Sequence, residues 1–357
     1  MKFKILILFS LFSYLYSLKI GIVGPTGAVG KEILNSLSKE NIQFSELKLF
    51  GSNKSNNKWI DTPFGKQKIK QFDVKEAREC DVNFIAVSGD FSKKFARALA
   101  YGDNGSIVID NSSAFRYEED VPLIIPEING KKVKGKKLIA NPNCTTAIAL
   151  IVLYPILLKY GIEFIMMSTY QAASGAGWKG IKELKDGVND YVTKKTYPTF
   201  NSIFDHPLPF NVIPHIDKFQ ENGYTKEEMK VSWETKKIFD DDEIKVSCTA
   251  VRVPTFRAHA ESVIVKTKKD VDIEELKLLL KDSDGVSLVD KPTENLYPMP
   301  ISSSEKSLVE VGRVRENLIF GKRGIEMFIC GDQLLRGAAL NAVLILKQIL
   351  IEDELIN

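Results

Sequence analysis

The chain has little cysteine and less histidine. Its four cysteines, Cys80, Cys144, Cys248 and Cys330, are scattered through 357 residues with no CxxC spacing. That argues against a zinc site or a disulfide framework and leaves reduced thiols as the expected state. Only three histidines, His206, His215 and His259, are available for acid/base chemistry, and no metal-ligand set is expected. Neither sign of charge dominates: 49 basic against 46 acidic residues leave a net +3, which gives no support to a dedicated nucleic-acid or membrane surface. No stretch approaches a membrane span, and there is no internal repeat or low-complexity segment. What remains is ordinary for a two-domain globular enzyme, 44% apolar and 27% charged.

Residues 1–17 read as separate from the fold. Met1-Lys2-Phe3-Lys4 is a short basic start, Ile5 to Phe12 is mostly apolar, and Ser13 to Ser17 makes a passable cleavage region before Leu18. A signal-like leader and an extension from an upstream start codon both fit that pattern.

From Leu18 the pattern is that of a nucleotide-binding unit. Leu18 to Val23 reads as a buried strand, Gly24-Pro25-Thr26-Gly27-Ala28-Val29-Gly30 as a tight turn, and Lys31 to Leu37 as a helix. Such a turn lets backbone N–H groups approach a pyrophosphate, although GxxGxxG taken alone is equally an ordinary strand-to-helix turn. The second strand, Glu46 to Phe50, is followed by Ser52, Lys54 and Ser55, with no acid until Asp61. Hydroxyls and a cation there suit a ribose 2′-phosphate, so NADP is favoured over NAD, against the alternative of solvated turn residues. A hairpin is expected over Trp59 to Phe72. Further strands are expected at Asp81 to Val87, ending in Ser88-Gly89, and at Ile107 to Asp110, followed by Arg116.

The stretch Ile139 to Leu150 delivers Cys144, through Asn141-Pro142-Asn143, to the start of an apolar helix. A helix N-terminus favours the thiolate, making Cys144 a nucleophile candidate, although an arbitrary cysteine is more often a small buried hydrophobe. Beyond it, strands are expected at Glu163 to Gln171, Lys245 to Val253, Ser262 to Lys266 and Glu326 to Ile329. Helices are expected at Trp178 to Val192, Ile273 to Lys281 and Gln333 to Ile351, and His259 falls between two strands. The fold class is α/β, a Rossmann-type cofactor domain joined to an α+β catalytic domain.

Taken together, Gly24 to Gly30, Asp110 to Arg116, Asn141 to Thr146, Tyr170 to Gly177, Phe210 to Pro214, Glu227 to Lys230, Val251 to Pro254, Ala258 to Ser262 and Leu334 to Val343 resemble the aspartate-semialdehyde dehydrogenases of the bacterial type. The resemblance runs in the family's order from Leu18 to the last helix. It implies an NADP-binding Rossmann domain over 18–140 and 334–357, to which the last helix returns, and a catalytic and dimerisation domain over 141–333, with residues 1–17 left as the leader or extension that composition suggests. The reaction it implies is the reduction of L-4-aspartyl phosphate to L-aspartate 4-semialdehyde through a Cys144 thioester, on the route to lysine, threonine, methionine and isoleucine. NADP(H) and phosphate are the implied cofactor and product, with no metal.

The resemblance also implies residue roles. His259 is the general acid/base, Gln171 positions the reacting group, and Asn143 stabilises an oxyanion with the Cys144 N–H. Arg252 pairs with the substrate α-carboxylate, Glu227 with its α-ammonium, and Arg116 and Lys230 with the phosphoryl group. The cofactor falls to Gly24, Thr26, Gly27, Ala28, Val29, Ser52, Lys54, Ser55, Ser88, Gly89, Ser174, Gly175 and Gln333, the last where many relatives carry Asn. A homodimer or tetramer is expected. The chemistry favours the cytoplasm, with a plastid reached through the leader as the alternative. An N-acetylglutamyl-phosphate or glyceraldehyde-phosphate reductase also combines such a turn with a Cys/His pair; Glu227 to Lys230 and the Arg252 to His259 spacing favour the aspartyl substrate. Retention of Cys144, Gln171, Arg252 and His259 speaks against a catalytically inactive interaction protein.

Overall fold

The computed structural model describes residues 18–196 and 203–353, so the expected leader lies outside the described residues. The described chain forms two compact units, one running up to Pro142 and resuming at Ala338, the other Asn143–Gly337. The divisions between the compact units fall after Pro142 and Gly337.

In the first unit, β1 (Lys19–Val23), β2 (Glu46–Gly51), β3 (Trp59–Thr62), β4 (Gly65–Gln71), β5 (Val82–Ile85), β6 (Ile107–Asp110) and β7 (Leu138–Ala140) form one sheet in the order β3-β4-β2-β1-β5-β6-β7. Only the β3–β4 hairpin is antiparallel. Parallel strands covered on both faces need continuous apolar runs, which is why Ile20 to Val23 and Val82 to Ile85 are wholly buried. Helix α1 (Ala28–Lys39) starts directly on the glycine turn, and α2 (Gly89–Ala100) follows β5. The last described helix, Leu340–Glu352, buries Val343, Leu346 and Ile349 in the same core as Ile20, Leu37 and Phe84. It does not begin at Gln333: a short π-helical turn, Leu335–Ala339, precedes it.

The second unit is built on β8 (Ile162–Gln171), β9 (Lys245–Arg252), β10 (His259–Thr267), β11 (Val286–Leu288), β12 (Val309–Asn317) and β13 (Gly321–Gly331), ordered β11-β12-β13-β10-β8-β9. Helix α3 (Cys144–Tyr160) packs on β10, β12 and β13, and α4 (Lys226–Phe239) packs beside α3 and β9. Neither α4 nor β12 stands out in the hydrophobic pattern of the sequence. His259 also differs from its expected place between strands, because the β10 ladder already includes it, paired with Gly331. No described helix is long and apolar enough to cross a membrane.

Candidate active site

Cys144 is the first residue of α3, with Asn143 as its cap. The Asn143 side-chain oxygen accepts the Thr145 and Thr146 backbone N–H groups at 3.0 and 3.2 Å, two of the donors a helix start leaves without intrahelical partners. The backbone of Gly337 lies against Cys144: a Cβ there would stand 2.7 Å from the Cys144 Cβ. Cys144 is partly exposed, whereas the other three cysteines are buried. Burial pushes the Cys80 and Cys330 thiols up to about 12 and Cys248 well above its ordinary value, so these three stay protonated at neutral pH.

A buried carboxylate gathers the groups around that helix start. Glu227 Oε1 accepts from Asn143 Nδ2 at 3.0 Å and Gln171 Nε2 at 3.1 Å, while Oε2 accepts from Lys230 Nζ at 2.9 Å. Burial alone would raise its pKa, but the Lys230 charge and these three donors prevail and hold it at about 2. Lys230 also meets Asp217 at 2.7 Å, and its pKa is raised although burial works against the charge. The amide orientation of Gln171 is fixed from both ends, since its Oε1 accepts the Thr169 hydroxyl at 2.9 Å.

Arg252 and His259 meet around residues 172–175. Arg252 Nη1 donates to the Ala172 carbonyl at 2.6 Å, and the Ala172 N–H donates to His259 Nδ1 at 3.1 Å. A Cβ on Gly175 would stand 2.6 Å from Arg252 Nη1 and 3.4 Å from His259 Nε2, so the bare backbone is what lets these three converge. Burial, then the neighbouring Arg252 charge, depresses His259 to about 3, and the ring is neutral at physiological pH. With Nδ1 accepting, its proton sits on Nε2, which has no partner among the described residues. Of the other histidines, His215 pairs with Asp205 at 3.0 Å and stacks on Phe219.

Arg116 belongs to the first unit, where it is buried and donates to the Asn141 carbonyl at 2.8 Å and the Asn111 carbonyl at 3.0 Å. Gly24, Thr26, Gly27, Ala28 and Val29 follow β1, Ser52, Lys54 and Ser55 follow β2, and Ser88 and Gly89 follow β5. Ligands of such sheets gather at these C-terminal strand ends. Gly24 has φ +89°, and a Cβ on it would lie 2.7 Å from the Ala86 carbonyl oxygen, so the turn has the cramped backbone that a dinucleotide cradle needs. Ser174, Gly175 and Gln333 lie in the second unit, with the Gln333 amide turned toward Ala258 and Ser174.

Sequence reasoning missed Glu234. It is fully buried on α4, and its Oε2 accepts the Asn143 backbone N–H at 2.6 Å. The signal was present: Thr225 and Glu228 form a reciprocal capping box that announces α4, and Glu234 stands two helical turns after Glu227 on the same face.

Comparisons with known proteins agree with this construction. Residues 19–136 match the family model described as semialdehyde dehydrogenase, NAD binding domain, and residues 153–336 match semialdehyde dehydrogenase, dimerisation domain. Fold and site thus define a semialdehyde dehydrogenase with a nicotinamide-binding first unit. Aspartate-semialdehyde dehydrogenase from Aquifex aeolicus is 41% identical over 342 residues, 95% of this chain and 99% of that one. Aspartate semialdehyde dehydrogenase II from Vibrio cholerae, solved in complex with ASA, superposes with a TM-score of 0.88 at 37% identity, covering 94% of this chain and 99% of its own. A Candida albicans enzyme solved with NADP shares the fold, with a TM-score of 0.72 at 23% identity over 95% of this chain and all of that one (100%). The chain belongs to the aspartate-semialdehyde dehydrogenase family.

Proposed function

We propose that the protein reduces L-4-aspartyl phosphate to L-aspartate 4-semialdehyde with NADPH, releasing phosphate, as a homodimer in the cytoplasm, in the biosynthesis of lysine, threonine, methionine and isoleucine. The observation that carries the reading is the Glu227 cluster, in which one buried carboxylate joins the cap of the Cys144 helix to Gln171 and Lys230.

In this reading the Cys144 thiolate attacks the acyl carbon, the C–O bond to phosphate breaks, and a thioester remains on the enzyme. The glycine turn would hold NADPH, which when bound would supply a hydride for the thioester carbonyl. Collapse of the resulting tetrahedral adduct returns the Cys144 thiolate and frees the aldehyde. His259 works through Nε2, as donor to the charged sulfur and oxygen and as the nitrogen through which protons pass. Asn143 and the Cys144 N–H steady the oxyanion, a contribution of about 3 kcal/mol for a well-placed donor. Arg252 takes the α-carboxylate and Glu227, ionised at neutral pH, the α-ammonium. Arg116 and Lys230 take the phosphoryl group. Ser52, Lys54 and Ser55 read the 2′-phosphate, and Gly24 to Val29, Ser88, Gly89, Ser174 and Gly175 hold the rest of the cofactor.

The test is phosphate-dependent NADP reduction with aspartate semialdehyde, run beside the N-acetylglutamate analogue. Activity with the aspartyl substrate is expected; preference for the analogue would overturn the assignment.

A further inference from the structure

Two consecutive residues after β13 grip two consecutive residues before β10. Asp332, with no exposure, accepts Arg257 Nε on Oδ2 at 2.6 Å, while its Oδ1 accepts the backbone N–H groups of Leu334 at 3.0 Å and Leu335 at 3.2 Å. Gln333 Oε1 accepts the Ala258 backbone N–H at 2.8 Å, and its Nε2 bonds the Ser174 hydroxyl. The gripped Ala258 has φ +67°, a left-handed conformation that residues with a Cβ rarely adopt, and it immediately precedes His259. The third gripped point, Ser174, immediately precedes the Gly175 backbone that lies against His259 and Arg252.

From this geometry we infer that Gln333 is a positioning residue for His259: its side chain holds Ala258 in the left-handed conformation that aims the imidazole, and ties that bend to the Ser174 turn. Gln333 Nε2 keeps a second N–H beyond the one donated to Ser174, so this positioning role leaves its expected cofactor contact in place. Without the Gln333 carbonyl the buried Ala258 N–H loses its partner. The residue then relaxes toward negative φ, rotating the peptide that carries His259. The inference rests on His259 acting in the proposed reaction.

The experiment compares Gln333→Leu, Ala258→Gly, the double variant and His259→Asn in full-length protein, measuring kcat, KM for aspartate semialdehyde and the NADP dissociation constant. Read at saturating NADP, Gln333→Leu is expected to lower kcat at least tenfold, with KM for aspartate semialdehyde within about threefold of the parent. Glycine adopts positive φ freely, so adding Ala258→Gly to Gln333→Leu is expected to restore a substantial part of kcat. An undiminished kcat in Gln333→Leu, or a double variant with no recovery, would overturn the inference. If Gln333→Leu does not fold, Gln333→Glu decides. It keeps the acceptor toward Ala258, so kcat near the parent supports the inference and a Leu-like loss overturns it. Full activity in His259→Asn would instead fault the reading of the site, a separate outcome.

Discussion

Glu234 holds the backbone of Asn143, the residue that caps the helix beginning at Cys144, through a 2.6 Å hydrogen bond buried inside the second unit. Asn143 is thereby fixed from three sides: its N–H by Glu234, its amide nitrogen by Glu227, and its amide oxygen by the helix start. Glu234→Leu is expected to leave that N–H without an acceptor, costing about 1–3 kcal/mol of stability, and to lower kcat at least tenfold by loosening the turn before Cys144. Glu234→Gln keeps an acceptor and should retain most activity. Steady-state kinetics with thermal melts of both variants check this, and equal losses in the two would refute a positioning role.

Cys144→Ala should abolish turnover while leaving NADP affinity within about twofold, because the expected cofactor residues are elsewhere. Fluorescence titration with NADP beside the activity assay separates the two effects. Residual turnover above about 1% of the parent would point to another nucleophile.

What the sequence disclosed and what it hid follow from which signals are local. The turn that delivers Cys144 was legible because Pro142, Asn143 and the apolar run behind them lie in one short stretch. The strands of the first sheet were legible because burial on both faces leaves unbroken apolar runs. Helix α4 escaped the hydrophobic pattern because it buries Glu227, Glu228 and Glu234, residues that composition assigns to solvent. His259 was misplaced because the left-handed bend at Ala258 gives no signal in residue type: alanine is not the residue such a conformation selects. The grip of Asp332 and Gln333 on Arg257 and Ala258 spans about 75 positions, beyond any periodicity.

Replacing Lys54 and Ser55 with alanine should weaken NADP binding at least tenfold while changing NAD binding less than about threefold, since only the 2′-phosphate distinguishes the two. Lys54 is exposed in the short turn Asn53–Ser55 directly after β2. Parallel losses for both dinucleotides would show that this turn does not read the phosphate.

Glu261 lies two residues beyond His259 on β10, fully buried, and neither carboxyl oxygen has a hydrogen-bond partner among the described residues. Burial pushes its pKa well above the ordinary 4.5, so the folded protein keeps this proton over a range in which the unfolded chain releases it. Stability linked to Glu261 is therefore fully present below the unfolded value and is lost as pH rises toward the folded one. The loss is about 1 kcal/mol for each pH unit in which only the folded state is protonated. Glu261→Gln removes the titration while keeping the shape. The difference in melting temperature between Glu261→Gln and the parent should shift in favour of the variant from pH 5 to pH 8, whatever its sign at pH 5. Melting curves of the two proteins in matched buffers give the answer, and a difference that stays constant across that range would mean that Glu261 is ionised within the fold.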